Sequence, residues 1–410
     1  MRSRAYGGRV STAVVLSYAF DWVIIIATAA VGAVFAKLPP NKRPFSITNP
    51  EISFPFVTNE KIPTWSLGII ACVAPAAIIM VMCLLLVPGP TVPRSTPKRL
   101  IWQRKLWEWH TGWLGLALSL AFSFIITQGM KNLFGKPRPD LLSRCQADFE
   151  NKDDYVIGGF ANISSEFLLY SASICKNPDT SMLNDGFMSY PSGHASFAAG
   201  GLIYLSLIIA SKLALTIPFL PISMYSSDES RFSAFPSRLQ QKKNLEAKGN
   251  KDLSMPQSSF QPSGHNDSGV AARNQGAAPP VYLLAFAIVP WFASIYISAT
   301  RYSDFRHHGF DILFGYGIGL ISSVFAFRYY HLPISRGAGW SWGPRSRERS
   351  FWAGVGVGNY AGYKDDRTSR ESVSITEMDM ENGHTERPAS NNVGVSESSI
   401  SAEDGKGIAH

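Results

Sequence analysis

YPSGHASFAAG, residues 190–200, leads into an apolar run that continues to about Lys212. Pro191 sets a backbone turn and Ser192 is a good helix N-cap. The amides of Gly193 and His194 then point outward, so the start of this helix can hold an anion such as a phosphate. Alone, Ser-Gly ahead of a membrane helix is ordinary cap chemistry, and the rest of the chain decides between the two readings.

Working outward, five further apolar runs appear, at about 15–36, 65–87, 112–130, 281–299 and 312–330. With the run at 194–212 they predict an all-α fold, a polytopic six-transmembrane-helix bundle. They also explain why charged residues are only 17% of 410. The first run, preceded by Arg2, Arg4 and Arg9, is too long for a secretory signal and reads as a retained span. Asp21 near its basic end reads as a carboxylate reaching the headgroups. RKLWEWHTGW, residues 104–113, resembles an interfacial belt, with His110 inside it. The Ser-, Gln- and Lys-rich insert 222–280 and the tail 331–410, aromatic and basic and then acidic, are expected to be disordered.

Six spans place both termini on one face. The loops there carry 20 Lys and Arg against 12 on the other, so residues 1–14, the insert and the tail are expected to be cytoplasmic. The net charge of +8 is dispersed over loops and is no nucleic-acid footprint. Cys145 and Cys175 share one polar loop and could pair if it faces an oxidising lumen; Asn162-Ile-Ser164 on the same loop is a glycosylation sequon. No cysteine spacing suits a metal, and no carboxylate cluster suits magnesium.

Three fragments fall on the extracytoplasmic face. KNLFGKPRP, residues 131–139, has Gly135 and Pro137 as helix breakers, so Lys131 and Arg138 can bend toward one point. The second is Ser192-Gly193-His194. The third is TRYSDFRHHGFD, residues 300–311, in which His307 and Asp311 share a face if the last helix has begun, so that the carboxylate can hold one imidazole nitrogen. Arg301 can grip a phosphate in a forked geometry. Each fragment has a bland explanation: a basic flank, a helix cap, a histidine satisfied by a nearby acid. Two Arg, one Lys, two His and one Asp at a single membrane face are costly without a function.

The order K-x6-R-P, P-S-G-H and R-x5-H-x3-D resembles the type 2 phosphatidic acid phosphatase superfamily, and within it the six-span lipid phosphate phosphatases and fungal diacylglycerol pyrophosphate phosphatases. The resemblance covers about Val15 to Tyr330. It departs in opening the third motif with Thr300 in place of serine and in its long insert. The resemblance implies that His307 is the nucleophile, Asp311 its orienting partner and His194 the general acid and then base. Lys131, Arg138, Arg301, Ser192 and Gly193 would bind phosphate. No cofactor and no metal are implied, and the partners are the bilayer and a lipid phosphate: phosphatidate, lysophosphatidate or diacylglycerol pyrophosphate. Sphingoid or polyprenyl phosphates, or a catalytically silent lipid-binding scaffold, are the alternatives. A small transporter is disfavoured because Asp21 is the sole acid in the first five spans, and the haloperoxidases that share the pocket are soluble. His308 has Ile312 four residues on and is expected to be minor. QPSGH at 261–265 is a decoy, lacking an apolar helix and lying on the cytoplasmic face.

Overall fold

The computed structural model describes residues 12–89, 92–93, 95–160, 162–216, 278–334 and 339–345. All but the last three residues of the insert, most of the tail and the decoy around His265 lie outside them. The chain divides into two units after Pro344, and every helix named here belongs to the first. Six helices are long and apolar enough to cross a membrane: α1 Thr12–Phe35, α2 Thr64–Leu86, α3 Lys98–Phe134, α4 Gly193–Lys212, α5 Val281–Ser303 and α6 Gly309–Tyr330.

α4 is the hub. It packs against α2, α3, α5 and α6, while α1 packs along α3. Ala198, Ala199, Gly200 and Gly201 of α4 let neighbours approach closely, as small residues do between helices in lipid. Gly315 of α6 shows how tight this is, because a Cβ there would stand 2.4 Å from the Ser192 carbonyl oxygen. That close approach sets the start of α6 against the start of α4. Residues Ile69–Val73 of α2 form a π-helical turn just ahead of Pro75, relieving the helix where proline lacks an N–H.

α3 begins at Lys98, well before the apolar run at 112, because no breaker separates the aromatic belt from it. It ends at Gly135, whose left-handed φ of 55° and close approach to the Asn41 carbonyl exclude any Cβ. The segment that follows, polar in composition, folds into a cap. Short helices Leu141–Cys145 and Thr180–Gly186 and a hairpin of β1 (Val156–Gly159) with β2 (Leu168–Tyr170) enclose a core of Phe45, Ile52, Leu141, Tyr170, Ile174, Leu183 and Phe187. The Cys145–Cys175 disulfide staples it, and Asn162 is exposed in the hairpin connection.

Candidate active site

Helix ends bring the fragments together. Lys131 lies in the last turn of α3, Gly193 and His194 in the first turn of α4, and Arg301 in the last turn of α5. Arg138 stands on the loop after α3 and His307 on the connection before α6. All six line one cavity of about 430 Å³. Backbone bonds stitch the loops that carry them: Arg138 N–H donates to Gly186, Ser189 to Lys136, and Ser192 to the Asp311 carbonyl, each between 2.8 and 3.0 Å.

Charge in this cavity is unbalanced. Lys131, Arg138, Arg301 and Arg306 line it against two carboxylates, Glu60 and Asp185. Asp185 accepts from Arg138 and Arg144, each at 2.8 Å, and from Arg306 at 3.3 Å. Glu60 accepts from Arg301 at 2.9 Å and pairs with Arg306. Burial alone would raise the Asp185 carboxyl, but Arg138, Arg144 and Lys131 outweigh it and hold it well below the usual carboxylate range. Among the described residues the Lys131 ammonium has no hydrogen bond or ion pair, although a Cβ on Gly193 would meet its Nζ at 3.3 Å. An ammonium beside the positive end of α4 becomes favourable only when an anion shares the space. The buried Nε–H groups of Arg138, Arg301 and Arg306 likewise lack acceptors.

His307 is 2% exposed, and its Nδ1 lies 2.6 Å from the Ser189 carbonyl. A carbonyl can only accept, so Nδ1 carries the proton and Nε2 presents a lone pair. Burial first, then Arg138, Lys131 and Arg301, push its pKa well below the ordinary value, which keeps the ring neutral. His194 Nε2 is 3.1 Å from the Ile62 carbonyl, and by the same logic it donates there.

Two expectations need correcting. Asp311 makes no hydrogen bond to His307. Helix α6 begins at Gly309 with His308 as its cap, so His307 precedes the helix and the four-residue spacing does not place it on the face of Asp311. Asp311 instead accepts from Ser189 Oγ at 2.6 Å, from Lys136 Nζ at 2.8 Å and from the His308 backbone at 3.2 Å, and its Oδ2 lies 3.1 Å from His308 Nδ1. His308 thus has a partner three residues on, as part of the cap. Ser192, fully buried, does not line the cavity; its hydroxyl accepts from Ala195 N–H at 3.4 Å and caps α4.

The structure also adds residues that sequence reasoning missed. Arg306 stood inside the third fragment and could have been noticed there. Glu60 and Asp185 carry no local signal, because each becomes a counter-ion only through contacts made across the chain. Among the described residues no group of three or more His, Cys, Asp or Glu is placed to hold a metal ion.

The fold and this cavity define a class: a multi-pass membrane protein with a cationic, histidine-bearing pocket at one end of its helices. Residues 112–334 match the PAP2 superfamily, and the chain belongs to it. It is 30% identical over 217 residues to a protein of Schizosaccharomyces pombe named probable diacylglycerol pyrophosphate phosphatase 1, covering 50% of this chain and 67% of that one. A PA-phosphatase related-family protein of Dictyostelium discoideum is 29% identical over 196 residues, 48% of this chain and 52% of its own. Lipid phosphate phosphatase 2 of Arabidopsis thaliana is 23% identical over 323 residues, 78% of this chain and 79% of its own. No solved structure matches the chain.

Proposed function

We propose that this protein is an integral membrane phosphatase that removes the terminal phosphate from phosphatidate, lysophosphatidate or diacylglycerol pyrophosphate without a divalent cation. The reading rests on one observation above the others. Among the described residues the buried Lys131 ammonium is unpaired at the N-terminus of α4, and three arginines that line the same cavity have Nε–H groups without acceptors. A phosphate fills that need, with Lys131, Arg138, Arg301 and the Gly193 amide on its non-bridging oxygens. His307 Nε2 attacks phosphorus as the bond to the leaving oxygen breaks, and His194, doubly protonated in the field of the bound substrate, gives that oxygen a proton. Neutral His194 then takes a proton from the water that cleaves the phosphohistidine, releasing inorganic phosphate. Asp311 and Ser192 serve by position, fixing the start of α6 and capping α4.

The site faces away from the cytoplasm in this proposal. The distribution of Lys and Arg favours that orientation, and the Cys145–Cys175 disulfide lies in the cap on the same end. Purified protein assayed in mixed micelles containing excess EDTA is expected to release phosphate from these lipids and to be inhibited by vanadate. A strict magnesium requirement, or indifference to vanadate, would sink the mechanism.

A further inference from the structure

The walls of the cavity change in chemistry with depth, and they do so on three helices at once. On α3 the residues facing it are Lys131, then Gln128 and Thr127, then Phe124, a stripe at helical spacing. At 1.5 Å per residue, Gln128 lies about 4.5 Å and Phe124 about 10.5 Å from Lys131 along the axis of α3, toward its middle. On α2 Thr64 precedes Leu67 and Gly68, and on α4 Gly193 and His194 precede Ser196 and Phe197. A charged rim thus passes through a band of neutral polar side chains to an apolar floor. Within the band, Thr127 donates to Ser196 at 2.9 Å and Ser196 to the Gly193 carbonyl at 3.2 Å. Among the described residues the Gln128 amide and the Thr64 hydroxyl make no hydrogen bond, although both line the cavity.

We infer that Gln128, assisted by Thr64, reads the ester linkage of a glycerolipid, donating to a carbonyl oxygen between the phosphate and the acyl chains. This rests on the lipid phosphatase reading and narrows it. A glycerolipid presents phosphate, ester oxygens and hydrocarbon in the same order and at similar spacing as the three zones. A polyprenyl phosphate carries no oxygen beyond its phosphate, so its hydrocarbon would cover the Gln128 amide and leave it unpaired, which such sites reject. Gln128 is therefore a specificity residue, separate from the groups that touch the phosphate.

The test compares dioctanoyl phosphatidate, its dialkyl ether analogue and farnesyl phosphate, with p-nitrophenyl phosphate as a reporter of the phosphate site. Gln128→Leu is expected to lower kcat/KM for the diacyl lipid about tenfold, the worth of one good hydrogen bond, while the other lipids change by less than about threefold. Gln128→Met, close in volume and lacking the amide, should behave alike and guards against a folding defect; Thr64→Val should lose about threefold in the same direction. An equal loss on every lipid, or unchanged selectivity, overturns the assignment and leaves the phosphatase reading standing. Wild-type hydrolysis of p-nitrophenyl phosphate without turnover of any lipid would overturn both.

Discussion

The two ends of the helix bundle each bury a charge cluster, and they differ in whether it is finished. At the end away from the cavity, Glu108 is fully buried on α3. Its carboxylate takes Lys212 at 2.5 Å, Arg104 at 3.0 Å, and both the backbone N–H and the hydroxyl of Ser341. Trp340 covers the two cations, with Arg104 at 5.2 Å and Lys212 at 4.9 Å from its ring centroid. Next to it His331, stacked on Phe327, is pushed down to a pKa of about 3 by burial and Lys212, so it adds no charge. The Glu108 carboxylate is thus fully matched, although among the described residues the two ring nitrogens of the neutral His331 have no partner. At the other end, among the described residues, the Lys131 ammonium is unpaired, guanidinium Nε–H groups lack acceptors and a cavity opens beside them. A satisfied buried pair holds a fold together, whereas an unsatisfied one is retained at a cost that only a ligand offsets.

The sharpest way to break this comparison is to remove the groups that would act on the ligand. His307→Ala should abolish lipid phosphate turnover, by at least about four orders of magnitude, with an unchanged melting temperature; activity within tenfold of wild type would remove His307 as nucleophile. Lys131→Met should cost about 10²–10³ in kcat/KM yet leave the melting temperature equal or higher, because it deletes a buried unpaired cation. Lys212→Met is the mirror experiment. It leaves the buried Glu108 carboxylate to Arg104 and Ser341 and should destabilise by about 1.5–3 kcal/mol in denaturant unfolding, with activity per folded molecule unchanged.

Smaller effects sharpen the picture further. Because burial and three cations disfavour the imidazolium of His307, the neutral nucleophile persists as pH falls through 6.5. The acid limb of kcat/KM should therefore lie below that value and move upward in Arg138→Gln, which removes the foremost of those cations. The shift between the two proteins is what counts, since the ionisation of the substrate is common to both. At the bottom of the scale, His265→Ala, outside the described residues, should leave turnover within error, and a large loss would mean that the second Pro-Ser-Gly-His had been misjudged.

Much of the fold was legible because a bilayer demands long apolar helices, and such runs stand out in any composition. The cap was not, since its core gathers Phe45, Ile52, Leu141, Tyr170 and Phe187 from positions that share no period. In the cavity, Lys131, Arg138, Gly193, His194, Arg301 and His307 could be named from short fragments, because breakers and caps act over a few residues. Spacing misled for Asp311, where the count of four assumed a helix that starts two residues too late to carry His307.

Local order in the chain was enough for six spans, for Ser192 as the cap of α4, and for the cations and histidines that gather at helix ends, since each of these follows from neighbours within a turn or two. Only the tertiary structure decided that Glu60 and Asp185 would hold the arginines, that the Ser189 carbonyl would set the tautomer of His307, and that Gln128 would face the cavity. Those choices depend on which distant backbones approach to within a hydrogen bond, and that is settled by the packing of α4 against its neighbours.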